Sequence, residues 1–180
     1  MSLSMENNTE LEATTKEMLS GFQQDLKNIR QASLLQGLDD DCLNLLAMLC
    51  QRIKYSDADQ LMIQGEDDGH AFFILSGLAQ AIYRKGEATV EIQQFGPGEF
   101  VGGCALFGRL PRLFTLIAKG ELSALRLSRE QFEKAMVQFP ASFAKITGNL
   151  VMQLAAWDLR LQGIYDENSA ESQAIGVSLL

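Results

Sequence analysis

Apolar residues along this chain change their spacing twice, from helical to alternating and back to helical. From about Thr9 to Gln31, Leu11, Met18, Phe22, Leu26 and Ile29 fall on one helical face, and Glu12 stands four residues before Lys16, placed for an ion pair. A second helix is predicted from Asp40 to Gln51, where Cys42, Leu45, Leu46, Leu49 and Cys50 form one apolar stripe. Asp39, Asp40 and Asp41 suit its N-terminal end as a capping cluster.

Between Ile53 and Leu127 the pattern becomes short runs rich in Ile, Val, Phe and Tyr: QLMIQ, HAFFILSG, LAQAIYR, ATVEIQQF, GEFVG, RLFTLIA and LSALRLS. Ten of the fifteen glycines fall between Gly65 and Gly120, so each run is expected to be a separate strand of a small antiparallel β-barrel or jelly roll. Arg84-Lys85-Gly86-Glu87 reads as a hairpin turn, and Gly65-Glu66-Asp67-Asp68-Gly69 as a looser polar loop.

Helical spacing returns at Ser128, an N-cap with its capping-box partner at Gln131 and an apolar face of Phe132, Ala135, Met136 and Phe139. Pro140 ends that helix and starts another. Phe143, Thr147, Leu150, Leu154, Trp157, Leu161 and Ile164 then follow a heptad seam, which either packs on the barrel or forms a homodimer through the 140–165 helix. The expected layout is a helical extension over 1–32, a β-barrel with its flanking helices over 33–139, the long helix over 140–165, and a mobile tail over 166–180 that carries no basic residue.

Charge narrows the partners. With Lys+Arg 15 against Asp+Glu 23 the formal charge is -8, which repels nucleic acid and anionic membrane, so any anion site is a local arrangement. No apolar run reaches the length of a membrane span. Cys42, Cys50 and Cys104 follow no metal spacing and read as reduced, buried thiols of a cytoplasmic protein. His70 is the sole histidine, and neither Ser76 nor Ser128 has a companion base, so the chain is read as no enzyme and as needing no cofactor or metal.

One stretch is built to hold an anion: Gly96 to Ala118, GPGEFVGGCALFGRLPRLFTLIA. A glycine-rich turn presents backbone N–H groups on one side, and Arg112 supplies a guanidinium on the other.

The order of these parts resembles the cyclic nucleotide-binding domain of bacterial catabolite activator proteins and of the regulatory subunits of cAMP-dependent protein kinase. Two motifs carry the resemblance. Ile63-Gln64-Gly65-Glu66 followed by Phe72-Phe73-Ile74-Leu75-Ser76-Gly77 looks like the family's strand, acidic loop and strand. The glycine-rich stretch is similar to its phosphate-binding cassette, Phe-Gly-Glu-x-Ala-Leu and then Pro-Arg-Ala-Ala-Thr, with the spacing from Ala105-Leu106 to Pro111-Arg112 preserved. The resemblance implies a regulatory sensor that binds cAMP, cGMP or a related phosphate ligand and signals through its C-terminal helix. The implied site comprises Gly102, Gly103, Cys104, Ala105, Leu106, Pro111, Arg112, Leu113 and Thr115, with backbone amides of Cys104 to Leu106 and the Arg112 guanidinium on the phosphate.

Departures from the family pattern point to a second reading. Gly103 stands where the family has a glutamate that accepts from the ribose 2′-hydroxyl, and Leu113 and Phe114 replace two small residues. Phe114 is expected on the Arg112 face of an extended strand, toward the sugar's space, while Gly103 opens some room in compensation. A structural ion pair of Arg112 with a loop acid such as Glu99 is the alternative to phosphate binding. On this reading the chain keeps the fold as a dimerisation or partner-docking module without nucleotide. Direct DNA contact is not expected, because the acidic segment 166–180 accommodates no recognition helix.

Overall fold

The structure is a computed structural model and describes residue 16 and residues 19–164. Among the described residues, four α-helices flank six antiparallel strands. Residues 19–31 form α1 and Asp40–Leu49 form α2; the strands are β1 (Gln51–Tyr55), β2 (Gln60–Met62), β3 (His70–Lys85), β4 (Ala88–Phe95), β5 (Phe100–Val101) and β6 (Thr115–Ser128); α3 (Arg129–Gln138) and α4 (Pro140–Ile164) close the chain. Short 3-10 turns occupy Ser33–Leu35 and Gly103–Leu106.

The sheet runs β1-β6-β3-β4, with β2 added to β6 and β5 added to β3, and its pairing path does not close into a full barrel. Both faces of β3 are buried, which is why Ala71-Phe72-Phe73-Ile74 reads as a continuous apolar run. Ala71 and Phe73 pack with Leu125 and Leu127 of β6 against α1, α2 and α3. Phe72 and Ile74 face the opposite way, into an inner core with Met62, Phe95, Val101, Phe114, Leu116 and Ala124. This alternation is the two-residue period of a strand.

Several boundaries differ from the sequence reading, for physical reasons. HAFFILSG and LAQAIYR are one strand, not two, as are TLIA and LSALRLS, whereas Arg112, Leu113 and Phe114 precede β6, the last two as a bend, and are not on the extended strand expected for them. Gly77 does not end β3: at φ +83° it sits in the irregularity between Ser76, which pairs with Ser123, and Leu78, which pairs with Lys119, and a Cβ there would come within 2.3 Å of the Glu121 carbonyl oxygen. Strand β1 carries too few apolar residues to stand out from the preceding helix, which ends at Leu49 instead of Gln51. The three aspartates do stand at the start of α2, Asp39 at the N-cap position and Asp40 and Asp41 in the first turn, but without the expected side-chain cap bond. Asp39 makes no side-chain cap bond and pairs with Lys145 at 3.4 Å, while Asp40 pairs with Arg30 at 2.7 Å.

Other expectations are met. Gly86, at φ +62°, sits in the tight turn that brings Lys85 opposite Ala88. Ser128 and Gln131 form a reciprocal capping box on α3. Pro140 begins α4 directly after the C-cap Phe139. Ile146 is buried and Leu150 packs on the body, but Phe143 and Leu154 of the seam are exposed. Leu11, Glu12, Met18, the side chains of Trp157, Leu161 and Ile164, and the 166–180 tail lie outside the described residues. Among the described residues no helix is long and apolar enough to cross a membrane, and the three cysteines are free thiols.

Candidate functional site

The glycine-rich stretch folds as the sequence suggests. β5 delivers the chain to Gly102, whose left-handed φ of +83° reverses it into the 3-10 turn Gly103–Leu106, with Ala105 N–H donating to the Gly102 carbonyl at 3.2 Å. Only glycine fits at 102. A Cβ there would stand 2.8 Å from Arg112 Nη1, 3.1 Å from Met62 Sδ and 3.2 Å from the His70 carbonyl oxygen. Cys104, Ala105 and Leu106 are all buried, the last anchored in the helical core. Burial pushes the Cys104 thiol up, against the weaker opposing pull of the Arg112 charge.

Arg112 is the centre of the arrangement and is 3% exposed. Its Nε donates to Asp68 Oδ2 at 3.0 Å, Nη2 donates to Asp68 Oδ1 and to the His70 carbonyl, and Nη1 reaches the Gly102 carbonyl at 3.4 Å. The contact with Asp68 is a two-pronged, charge-assisted pair. Its backbone is fixed too: Arg112 N–H donates to the Glu66 carbonyl and Gly65 N–H to the Arg112 carbonyl, both at 2.8 Å. Burial alone would raise the Asp68 pKa, but bonding from His70 and Arg112 and the Arg112 charge outweigh it and hold the carboxyl at about 2.

The acid that meets Arg112 is therefore Asp68, not Glu99, whose carboxylate accepts from the Gly96 N–H instead. Phe114 is buried in the inner core with Met62, Phe72 and Leu116. Gly103 opens no compensating room. A Cβ there would lie 2.8 Å from the Phe100 ring and 3.0 Å from Leu34, and Phe100 is itself stacked on Phe73 at 4.3 Å. Thr115 is buried, and its Oγ1 accepts from Gln64 N–H at 3.1 Å. Pro111 and Leu113 lie at the surface, Leu113 with half its area exposed, apart from the buried members of the predicted set.

A second arginine was not legible as part of the site. Arg129 opens α3, donates from Nε to the Ala105 carbonyl at 2.7 Å, and pairs with Asp67. Its own N–H donates to the Gly69 carbonyl at 2.7 Å. The acidic loop is thus clamped twice, Asp68 by Arg112 from the turn side and Asp67 by Arg129 from the helix side. No local pattern announces these pairs, because the partners stand 44 and 62 residues apart.

Comparison with known proteins agrees with this geometry. Residues 52–139 match the family model of the cyclic nucleotide-binding domain. That segment, just under half of the chain, is similar to cyclic nucleotide-binding domains. A cAMP-dependent protein kinase regulatory subunit from Neurospora crassa is 28% identical over 83 residues, which are 46% of this chain. The chain spans only 21% of that relative's length. A cyclic nucleotide-binding-like protein from Brucella abortus superposes with a TM-score of 0.59 at 26% identity, over 62% of this chain and 97% of that one. The catabolite activator protein of Thermus thermophilus, at 22% identity, shares the fold with a TM-score of 0.63 over 74% of this chain and 63% of its own.

Proposed function

We propose that this domain of a regulatory, non-catalytic family works as a partner-docking module that fills its phosphate seat with its own Asp68 and does not depend on a nucleotide. The observation that supports this is the commitment of Arg112. Its side chain is 2% exposed and hydrogen-bonded to the Asp68 carboxylate and to the Gly102 and His70 carbonyls, leaving an incoming phosphate to displace a charge-assisted pair. Phe114 adds bulk to the inner core at a position where the resembled family pattern has a small residue. Isothermal titration with cAMP and with cGMP up to millimolar concentration tests the reading. No heat is expected from either; saturable heat that Arg112→Ala abolishes would sink it.

A second reading is a cyclic nucleotide sensor in which Asp68 holds Arg112 until ligand arrives. The retained 3-10 turn supports it, because Gly102 still brings that turn beside Arg112. On this reading wild type itself binds cAMP or cGMP and Asp68→Asn, which lowers the competition for Arg112, strengthens that binding; silence of the wild type at millimolar nucleotide removes it.

The long helix is proposed as a homodimer seam beyond its first turns, with Val151 and Leu154 exposed along α4, and a cytoplasmic setting is proposed for the free thiols. Sedimentation over a range of concentration checks this, and a monomer at all concentrations rejects it.

A further inference from the structure

We propose that the groove between the glycine-rich turn and the α3–α4 corner docks a basic, amphipathic helix of a partner protein, an assignment that rests on the docking reading above. The groove encloses about 480 Å³. Leu106 and Phe107 line it from the turn, Met136 and Val137 from α3, and Phe143 from α4. Its floor is ordered aromatic packing: Phe107 meets Phe132 edge-on at 5.2 Å and Phe143 at 6.2 Å. Its rim is apolar and faces water, with Val137 81% and Phe143 45% exposed. An apolar groove bordered by two helices is the geometry that receives the apolar stripe of a third.

Charge selects the occupant. The charged residue on the groove wall is Glu133, which has no ion pair among the described residues, and no basic residue lines the groove. The chain's own segment 165–180 carries Asp166, Glu167 and Glu171 and no cation, so it meets like charge there. A second copy brings a surface of formal charge -8. A partner helix with Leu or Ile on one face and Lys or Arg beside it satisfies both the apolar floor and Glu133. Such an occupant also touches the turn one residue beyond Ala105, whose carbonyl Arg129 holds at 2.7 Å, so docking here reaches both the turn and the α3 start.

Fluorescence anisotropy on the full chain tests this with labelled amphipathic peptides of about 18 residues, roughly five helical turns. They carry Leu at i, i+3, i+4 and i+7, with the polar positions all Lys or all Glu. At about 0.15 M salt the Lys peptide is expected to bind at least about tenfold tighter than the Glu peptide. Val137→Ser and Phe143→Ser should each weaken it about tenfold, Val90→Ser on exposed β4 should not, and Glu133→Lys should shrink the preference. Failure of the Lys peptide to saturate overturns the proposal. So does equal loss with Val90→Ser, or binding of a 165–180 peptide as tight as the Lys peptide. These outcomes are separate from the nucleotide titration: heat with cAMP counts against the docking reading itself, whereas a silent peptide with no nucleotide heat rejects only this groove.

Discussion

Replacing Asp68 by Asn tests the central pair with little change of shape. Arg112 is 2% exposed at its side chain and Asp68 21%, so the substitution leaves a buried guanidinium facing a neutral amide. The fall of the Asp68 pKa from 3.8 to about 2 corresponds to about 2.4 kcal/mol at ~1.36 kcal/mol per pH unit, and solvent access to the carboxylate reduces this to about 1–2 kcal/mol. In a domain of this size that is a loss in Tm of about 2–8 °C near pH 7. The sign follows from the lowered folded-state pKa. The stabilisation is complete above the unfolded value of 3.8 and disappears as pH falls through about 2, so wild type and Asp68→Asn should converge between pH 5 and pH 2. Thermal unfolding followed by circular dichroism at half-unit pH steps measures this. A gap that stays constant across that window, or no gap at pH 7, refutes the view that Asp68 holds Arg112 as an ion pair.

Gly77→Ala forces a Cβ to within 2.3 Å of a backbone carbonyl at φ +83°, and denaturant unfolding should show a loss of at least about 2–4 kcal/mol. Gly103→Glu should destabilise the domain and confer no nucleotide binding, because the Phe100 ring and Leu34 occupy the space; gain of cAMP heat would contradict that packing. Burial raises the pKa of all three thiols, for Cys50 to about 12 with help from nearby Asp25, so iodoacetamide at pH 8 should label the native chain far more slowly than the denatured chain. Ser128→Ala removes one half of the capping box and should cost about 1 kcal/mol, read by urea unfolding.

The fold was legible wherever a local period decides structure. The helical stripes of α2 and α3, the capping box at Ser128 and the break at Pro140 each follow from a few neighbouring residues. Strand continuity was not, because a glycine at positive φ reads alike whether it ends a strand or lets one bend through a bulge. At Gly77 the answer lies in β6, at the Glu121 carbonyl. The same limit applied to the site. Turn and arginine were readable from spacing, and both prove to sit together. Asp67 and Asp68 looked like solvated loop acids because their cations come from residues 129 and 112, and that proximity exists only after β3 and β6 pair.

The balance between docking module and nucleotide sensor can be argued in free energy. A phosphate entering at Arg112 must displace Asp68, at about 1–2 kcal/mol. The sugar loses the acceptor that the family carries at the position of Gly103, worth roughly 1–3 kcal/mol for a buried hydroxyl. Clearing Phe114 from the inner core exposes an aromatic ring, at about 2–3 kcal/mol. Together these amount to about 4–8 kcal/mol, roughly three to six orders of magnitude in affinity. A nucleotide that would bind an unencumbered site at about 1 μM is then weakened to about 1 mM or beyond. The three penalties sit on different residues, so they predict a graded response: Phe114→Ala alone and Asp68→Asn alone should each recover part of the affinity, and the double variant close to their product. Wild-type cAMP binding tighter than about 100 μM would show that at least one of these costs is not incurred, and Phe114, whose ring must move for the reading to fail, is the residue to inspect first.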